Sequence, residues 1–305
     1  MRSTISVVIS AYNEEKKIER CLDSVKWVDE IIIIDNTSSD ATAMRAKKYT
    51  KHVFKKKNNL MLNVNKNYGF SKATSDWILN LDADEEVSPE LQQEIQRTLE
   101  AEASEINGYW MARKNILFGK WIERGLWWPD KQLRLFRRGK GKFPEVNIHE
   151  YIQVEGVTAD LTEPFLHHNY ETIEQYIQKI DRCTTSEMMQ LKNSGYRIEW
   201  YDALRFPLSD FNKIFFAQEG YKDGLHGLVL AILQSIYSFF VFAKLWEDAK
   251  YFQQSITVDQ VNEELKNNVL DLSYWQKTAS MKETKNIAKK TLLKIQRKIE
   301  RRKRT

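Results

Sequence analysis

The stretch Trp77-Ile78-Leu79-Asn80-Leu81-Asp82-Ala83-Asp84-Glu85-Glu86 decides the fold that we predict for this chain. An apolar run ends here in four carboxylates within five positions, which predicts a buried strand with acidic side chains at its carboxyl end. In open α/β sheets, ligands bind in the crevice beyond such strand ends. Two carboxylates at i and i+2 can share one divalent cation, or one can bind the cation while the other binds hydroxyl groups of a ligand. A solvated acidic turn before a helix would give the same pattern, so this stretch alone leaves both interpretations open.

The first hundred residues alternate between strand and helix patterns, with strands predicted at residues 5–9, 30–35, 52–54 and 77–81. Asn13 is predicted to cap the first helix, and Ser88 and Pro89 to begin the helix after the acidic stretch. The alternation indicates an α/β fold, with a mostly parallel sheet flanked by helices. Asp35 ends the second strand, so we expect it at the same sheet edge as Asp82.

The pattern changes after residue 105, where extended segments carry aromatic and basic side chains. A helical pattern takes over from Glu171. We therefore predict one domain over residues 1–180, with its first half at about 1–105 and its second at about 106–180, followed by a helical C-terminal region over 181–305.

Composition limits the protein class. The chain has 305 residues, 42% hydrophobic and 29% charged, which is typical of a globular protein. Its two cysteines, Cys21 and Cys183, give no disulfide framework or Cys-rich metal site and suit a reducing compartment. The apolar part of the start is too short for a signal peptide. The net charge is +5 but the tail 282–305 carries +9, so the remainder carries about −4. DNA or RNA binding by the tail has no supporting motif.

The segment 206–246 is apolar and aromatic, and its part 224–243 contains no Asp, Glu, Lys or Arg. Three interpretations stay open: in-plane or hairpin-like contact with a membrane, one membrane span, or a core helix that packs on the sheet. In the basic tail, an apolar stripe predicts either an amphipathic helix suited to anionic lipid or a frayed, soluble, charged tail. The stripe consists of Ala288, Leu292, Ile295 and Ile299.

Several of these segments resemble the family 2 glycosyltransferases, which have the GT-A (Rossmann-like) nucleotide-sugar fold. Residues 7–15 (Val-Val-Ile-Ser-Ala-Tyr-Asn-Glu-Glu) resemble the family's opening, and 77–85 resemble its metal strand. Residues 35–40 resemble its Asp-Ser-Gly-Ser-Thr-Asp signature, and 66–69 its Lys/Arg-Asn-x-Gly element. Thr37 stands where that signature has glycine, so threonine must make a turn that glycine would allow.

Residues 132–137 and Ile148-His149-Glu150 resemble the subgroup typified by lipopolysaccharide core glucosyltransferases. The similarity covers about residues 5–180, with order and spacing kept. It implies a nucleoside diphosphate sugar donor and a divalent cation. The cation should be Mg²⁺ or Mn²⁺, because carboxylates are hard oxygen ligands. Expulsion of a diphosphate at neutral pH needs such a positive charge beside it.

The resemblance also assigns site residues. Asp84 becomes the direct metal ligand, Asp82 lies near ribose and sugar hydroxyls with a share in the metal, and Asp35 receives the nucleobase edge. From the sequence itself, His167 and His149 could contact the diphosphate or complete the metal shell, or they could be structural histidines. The other residues predicted to bind the donor are Ala11, Tyr12, Asn13, Glu14, Lys66 and Arg134.

Inversion at the anomeric carbon, implied by the family, needs a general base on the acceptor hydroxyl. Glu150 is the first candidate because it follows an apolar segment directly, and Asp130 and Glu145 are the alternatives. Glu85 and Glu86 are expected to face solvent or to favour the amino end of the following helix.

A sugar-stacking wall is a further candidate feature, and its aromatic rings could equally fill a core. Its members are Trp121, Trp127 and Trp128.

These features favour an inverting, metal-dependent glycosyltransferase on the cytoplasmic membrane face. We expect it to move a sugar from a UDP-hexose to a lipid-linked saccharide such as lipopolysaccharide core or another surface glycan. Transfer to polyprenyl phosphate is an alternative that a clear pair of C-terminal spans would favour. A sugar-1-phosphate nucleotidyltransferase would typically need a Gly-rich, cationic loop after the first strand, which the sequence lacks. A non-catalytic sugar-binding relative would lack the acidic residues. A second copy of the chain is a further candidate partner, and nucleic acid is not expected.

Overall fold

The computed structural model describes residues 3–59, 62–101, 105–145 and 150–302. Its strands are β1 (Ile5–Ala11), β2 (Glu30–Asp35), β3 (Val53–Lys55), β4 (Trp77–Asp82), β5 (Glu85–Glu86), β6 (Ile106–Leu117), β7 (Lys120–Trp121), β8 (Asp130–Arg137), β9 (Gly141–Lys142), β10 (Gln153–Val154), β11 (Val157–Asp160) and β12 (Phe165–His168). Its α-helices are α1 (Ile18–Asp23), α2 (Thr42–Ala46), α3 (Leu62–Phe70), α4 (Pro89–Glu100), α5 (Ile173–Asn193), α6 (Asp202–Phe211), α7 (Leu225–Asp248), α8 (Val258–Glu283) and α9 (Ile287–Arg302).

The chain forms two compact units. The first comprises residues 1–117 and 128–169, and the second comprises 118–127 and 170–305. The predicted boundary at residue 180 falls inside α5, which belongs to the second unit.

A mostly parallel sheet forms the centre of the first unit, with the strand order β3-β2-β1-β4-β8-β6-β12-β5. The strands β3, β2, β1 and β4 run parallel to their neighbours, whereas β8 is antiparallel to both β4 and β6. The apolar runs of β1, β2 and β4 are buried because helices cover both faces of a parallel sheet. The α/β fold predicted from the sequence, a mostly parallel sheet flanked by helices with a helical C-terminal extension, is confirmed.

Alternate residues of these strands enter two apolar cores, as the pleat requires. Ile9 and Leu81 belong to one core, and Val8 and Ile78 belong to the other. Gly69 of α3 packs against the second core so closely that an added Cβ would lie 2.5 Å from Val8 Cγ1. Glycine thus allows α3 to approach the sheet.

The helix starts were predicted with mixed success. Ser88 caps α4, since its hydroxyl accepts a hydrogen bond from Leu91 N at 3.1 Å, and Pro89 is the first helical residue. The prediction for Asn13 is wrong, because α1 begins only at Ile18 and Asn13 has a left-handed backbone with φ of 56°. The predicted extended segment at 146–150 lies outside the described residues except for Glu150.

The second unit consists mainly of helices. Within it α7 packs against α5 and α6, and α9 packs against α8. Arg205 of α6 donates two hydrogen bonds of 2.7 Å to the buried Glu264 of α8. Among the described residues, α7 is the one helix long and apolar enough to cross a membrane, a criterion that core helices of soluble proteins also meet.

The helix α7 is buried on one face only. Gly227, Leu230 and Val241 lie on the buried face, and a row of large apolar side chains lies on the other. The exposed row is Leu225, Ile232, Ile236, Phe239, Phe240 and Trp246. A fully buried core helix, one of the three interpretations of this segment, does not describe α7.

Candidate active site

The carboxyl ends of β1, β2 and β4 lie at one edge of the sheet. Ala11 is the register partner of Asp35, and Ser10 is the register partner of Asp82. The parallel register therefore brings Asp35 and Asp82 to the same edge, on either side of β1. This is the edge at which parallel α/β sheets bind ligands.

Two cations hold Asp82. Lys66 Nζ lies 2.5 Å from Asp82 Oδ1, and Arg134 Nη2 lies 3.0 Å from Asp82 Oδ2. Burial by itself would raise the pKa of Asp82, but the positive charges of Lys66 and Arg134 outweigh it and hold that pKa far below the ordinary range. Asp82 is thus a fixed carboxylate with both oxygens engaged.

Glu85 is buried, whereas the sequence predicted that it faces solvent or favours the amino end of the following helix. Its side chain has 0% exposed area and forms a short ion pair with Arg134. Its second oxygen accepts a hydrogen bond of 2.9 Å from Asp82 N. Burial raises the pKa of Glu85 although Arg134 opposes this effect. Glu86, in contrast, keeps 30% of its side-chain area exposed and lies 3.1 Å from His168 Nε2.

Asp84 faces His167. Asp84 Oδ2 lies 3.6 Å from His167 Nε2, and the Lys17 Nζ atom lies 3.7 Å from the same oxygen. The turn that carries Asp84 is fixed to β12, because His168 N donates a hydrogen bond of 2.9 Å to Asp84 O. Two of the three predicted metal ligands are therefore adjacent.

The third predicted ligand, Asp82, does not join Asp84 and His167. Within residues 3–59, 62–101, 105–145 and 150–302, no group of three or more His, Cys, Asp or Glu side chains could hold a metal ion. The physical reason is that both oxygens of Asp82 are directed to Lys66 and Arg134.

A chain of hydrogen-bonded polar side chains, partly buried, begins at His167. Asn115 Oδ1 is 2.6 Å from His167 Nδ1, and Asn115 Nδ2 donates a hydrogen bond of 3.2 Å to Asp130 Oδ2. Arg113 pairs with the same Asp130 oxygen at 2.6 Å. Gln132 Nε2 donates to the other Asp130 oxygen at 2.7 Å. Asp130, the runner-up base, is thus held by three side-chain donors.

The segment around Asp35 forms a second part of the edge. Asp35 Oδ1 accepts a hydrogen bond from Ser38 N at 3.1 Å, and Asn13 Oδ1 accepts one from Ser39 N at 2.9 Å. Thr37 has a φ of 61°, so threonine makes the left-handed turn for which the family signature uses glycine. The Tyr12 side chain is exposed, and Glu14 N donates to Thr42 Oγ1 at 2.7 Å. These bonds fix the loops that follow β1 and β2.

Glu150 lies beside α3. Asn63 Nδ2 and Glu145 N each donate a hydrogen bond of 2.9 Å to Glu150 Oε2. Asn67, one helical turn after Asn63, donates to Glu145 Oε1 at 2.7 Å. Side chains of α3 therefore hold both Glu145 and Glu150, which are two of the candidate bases. His149 lies outside the described residues.

The predicted stacking wall is divided between the units, because Trp121 and Trp127 belong to the second and Trp128 to the first. Four residues that the sequence analysis did not select are part of the site. These are Asn63, Glu85, Arg113 and Asn115. The sequence signal for Asn63 is its i, i+4 spacing with Asn67, which places both asparagines on one face of α3.

Comparison with known proteins adds to this geometry. Residues 6–153 match the family model described as glycosyl transferase family 2. The lipopolysaccharide core biosynthesis glycosyltransferase LpsC of Rhizobium meliloti (strain 1021) is 27% identical over 251 residues, which are 80% of this chain and 92% of LpsC. The uncharacterized glycosyltransferase RP128 of Rickettsia prowazekii (strain Madrid E) is 27% identical over 84% of this chain and 91% of its own length.

Among solved structures, S. aureus TarS 1–349 in complex with UDP-GlcNAc is similar, with a TM-score of 0.43, 14% identity and coverage of 84% of this chain and 95% of that one. The family match spans β1 to β10 and so includes Asp35, Asp82, Asp84 and Glu150. The family model therefore identifies residues 6–153 as a glycosyl transferase family 2 domain, and the protein is a glycosyltransferase.

Proposed function

We propose that this glycosyltransferase moves a hexose from a UDP-sugar to a lipid-linked saccharide, with inversion at the anomeric carbon and with a divalent cation. The observation that carries the proposal is the adjacency of Asp84 and His167 beside an Asp82 held by two cations, all at the strand edge. The relative LpsC is a lipopolysaccharide core glycosyltransferase, which supports a glycan acceptor of that kind here.

The geometry at Asp84 fits a Mg²⁺ or Mn²⁺ ion. Adjacent ligands of an octahedral ion with bonds of about 2.1 Å lie roughly 3 Å apart, and Asp84 Oδ2 and His167 Nε2, which are 3.6 Å apart, need only a small movement to bind one ion. Mg²⁺ is usually held by one or two carboxylates together with substrate phosphates. Asp84 and His167 would therefore hold the ion, and oxygens of the donor diphosphate would complete its shell. When bound, the ion offsets the negative charge that develops on the leaving diphosphate.

Asp82 would bind the sugar side of the donor. Because Lys66 and Arg134 keep it ionised and fixed, its carboxylate can accept hydrogen bonds from ribose or hexose hydroxyls without first losing a proton. Lys66 would also contribute positive charge close to the diphosphate. Arg134 is buried and pairs with both Asp82 and Glu85, so we propose that it orients Asp82 and does not bind the donor directly.

The base and ribose of the donor would bind between the loops that follow β1 and β2. Asp35 is buried at the end of β2, where a carboxylate can accept from the N–H edge of a nucleobase. The backbone of Ala11, Tyr12, Asn13 and Glu14 would line the other side. Tyr12 is exposed at this point, which suits stacking on a base.

Glu150 would act as the general base. The acceptor hydroxyl oxygen attacks the anomeric carbon as the bond from that carbon to the diphosphate oxygen breaks. The hydroxyl proton passes to Glu150, and the nucleoside diphosphate leaves with the bonding electrons. Asn63 and Glu145 N hold one Glu150 oxygen, which fixes the carboxylate for this transfer. Asp130 is less suited, since Arg113, Asn115 and Gln132 already donate to its oxygens.

The second unit would bind the cytoplasmic surface of a membrane. The exposed row of α7 is large and apolar, and α9 exposes Ile287, Leu292, Ile295 and Ile299 among lysines and arginines. This combination fits an interface with anionic lipid, where apolar side chains insert and basic ones contact headgroups. Such binding would bring the enzyme to a lipid-linked acceptor.

A donor screen tests the proposal. Purified protein is incubated with single nucleotide sugars and Mn²⁺ or Mg²⁺, and release of the free nucleotide is measured. We expect one UDP-hexose to be consumed faster than GDP-, ADP- and CMP-sugars, and chelation by EDTA to stop the reaction. Equal release from all donors, or full release in EDTA, would refute the proposed donor or the proposed metal.

A further inference from the structure

We propose that Asn115 is a positioning residue that selects the ring tautomer of His167 and thereby sets the affinity of the site for a divalent cation. The proposal rests on the metal site proposed above and extends it to a residue that does not contact the ion. Asn115 and His167 are both buried, with 1% and 5% of their area exposed. Their orientation is therefore determined by protein neighbours and not by solvent.

The orientation of the Asn115 amide follows from Asp130. Asn115 Nδ2 lies 3.2 Å from Asp130 Oδ2, and Arg113 pairs with that carboxylate at 2.6 Å. A carboxylate in an ion pair only accepts hydrogen bonds, so the group directed at it must be the NH₂ of the amide. The same amide nitrogen is also 3.4 Å from the carbonyl of Arg113, a second acceptor. Asn115 Oδ1 must then face His167.

The His167 tautomer follows from that orientation. An amide oxygen can only accept, and Asn115 Oδ1 lies 2.6 Å from His167 Nδ1, so Nδ1 must carry the proton. In the neutral ring Nε2 then has a lone pair, and it is directed at Asp84 Oδ2, 3.6 Å away. A metal-binding histidine needs this arrangement, in which the nitrogen that does not bind metal donates to a fixed acceptor.

A positioning residue is needed because a neutral imidazole can carry its proton on either ring nitrogen. Which nitrogen carries the proton is set by the hydrogen bond that the other nitrogen makes. Loss of that bond removes the selection and lets the ring rotate. Mutation of partners of this kind typically costs about 10–100-fold in metal affinity. The series Arg113, Asp130, Asn115 and His167 would thus act through one atom, Nε2 of His167.

The first experiment observes the tautomer directly, without metal, donor or activity. The protein is labelled with ¹⁵N-histidine, and the long-range ¹H–¹⁵N correlation spectrum is recorded at alkaline pH. The His167 signals are assigned by their loss in His167→Gln. We expect the pattern of a ring protonated at Nδ1. A ring protonated at Nε2 in the wild-type protein would overturn the proposal, whatever the variants do.

The second experiment measures Mn²⁺ affinity in the presence of UDP, from the electron paramagnetic resonance signal of free Mn²⁺. Asn115→Leu keeps the volume but removes the acceptor, and we expect Mn²⁺ to bind about 10–100-fold more weakly. We also expect Asn115→Leu to lose the Nδ1 tautomer in the histidine spectrum. Unchanged Mn²⁺ affinity in a folded Asn115→Leu protein would contradict the proposal.

The matched control is His168→Asn. His168 is the next residue of β12 and also lies beside a carboxylate, with Nε2 3.1 Å from Glu86 Oε2. Its ring pairs with Glu86, so its replacement should leave Mn²⁺ affinity unchanged. The glycosyltransferase activity is not the readout, and failure of the tautomer selection is therefore distinguishable from failure of the proposed reaction. If transfer needs Mn²⁺ but His167 is protonated at Nε2, the positioning role of Asn115 is wrong and the proposed metal-dependent transfer stands.

Discussion

Arg134 joins Glu85 to Asp82. Its Nη2 atom lies 3.0 Å from Asp82 Oδ2 and forms a shorter contact with Glu85, whose side chain is fully buried. Glu85 also accepts from the backbone nitrogen of Asp82 at 2.9 Å. A buried ion pair therefore fixes the end of β4, which carries Asp82, the proposed sugar-binding carboxylate.

Replacement of Glu85 should be costly, whereas replacement of Glu86 should not. Removing one partner of a buried ion pair leaves an uncompensated charge, which typically costs about 3–5 kcal/mol of unfolding free energy. We expect Glu85→Ala to lower the stability of the first unit by that order. Glu86→Ala is the control, because Glu86 is partly exposed and such pairs contribute about 0–1 kcal/mol. Thermal unfolding followed by circular dichroism compares the two, and equal losses would contradict the role given to Arg134.

Thr37→Gly tests the strain in the loop after β2. Thr37 has a φ of 61°, a conformation that costs a β-branched residue roughly 1–2 kcal/mol and glycine almost nothing. The replacement removes the Thr37 hydroxyl, which donates a hydrogen bond to Asn36 O, and it raises the conformational entropy of the unfolded chain. We expect a stability change of within about 1 kcal/mol, whereas Thr37→Val should destabilise by more than about 1 kcal/mol. The measurement is denaturant unfolding, and equal effects of the two variants would show that the loop does not need this conformation.

Glu150→Gln should remove transfer and leave donor binding intact. Glutamine keeps the size and can still accept from Asn63, but it cannot take the proton of the acceptor hydroxyl. General base catalysis typically contributes about 10²–10⁴-fold, so kcat should fall by that order. Binding of UDP with Mn²⁺, measured by calorimetry, should be unchanged. Asp130→Asn should reduce kcat less than Glu150→Gln does, and the reverse order would make Asp130 the base.

The membrane contact can be tested in two steps. Residues 282–305 carry a charge of +9 and include the α9 helix, so we expect their deletion to weaken binding to vesicles with anionic lipid in a sedimentation assay. Phe239→Ser with Phe240→Ser should weaken binding further, since both rings are exposed on α7. Gln253→Ser in the following segment is an exposed polar control. Unchanged vesicle binding in both variants would refute the proposed surface.

The sequence sufficed for the parallel part of the fold because that information is local. Apolar runs ending in Asp35 and Asp82, together with the Ser88-Pro89 cap, predict strands, a helix start and a common edge without any distant partner. The roles of the site residues were predicted from the resemblance to the family. The Asn13 cap failed because its side chain binds Ser39 N, in the loop after β2, instead of the following helix.

Distant pairing explains what was missed. Glu85 resembles an exposed acid in a charged run, and only Arg134, 49 positions later, makes it a buried one. Asn63 and Glu150 are separated by 87 positions, and Asn115 and His167 by 52. No periodicity or spacing predicts such pairs. The two cations that hold Asp82 are distant in the same way, since Lys66 comes from α3 and Arg134 from β8.

The most direct test of the central claim compares Asp84→Asn with the wild-type protein in calorimetric binding of UDP, with and without Mn²⁺. If Asp84 and His167 hold the ion, Mn²⁺ should strengthen UDP binding to the wild-type protein, and Asp84→Asn should abolish that gain while UDP binding without metal stays unchanged. Transfer activity should be lost in the same variant. A variant in which Mn²⁺ still strengthens UDP binding to the wild-type extent would contradict the claim that this edge of the sheet is a metal-dependent nucleotide-sugar site.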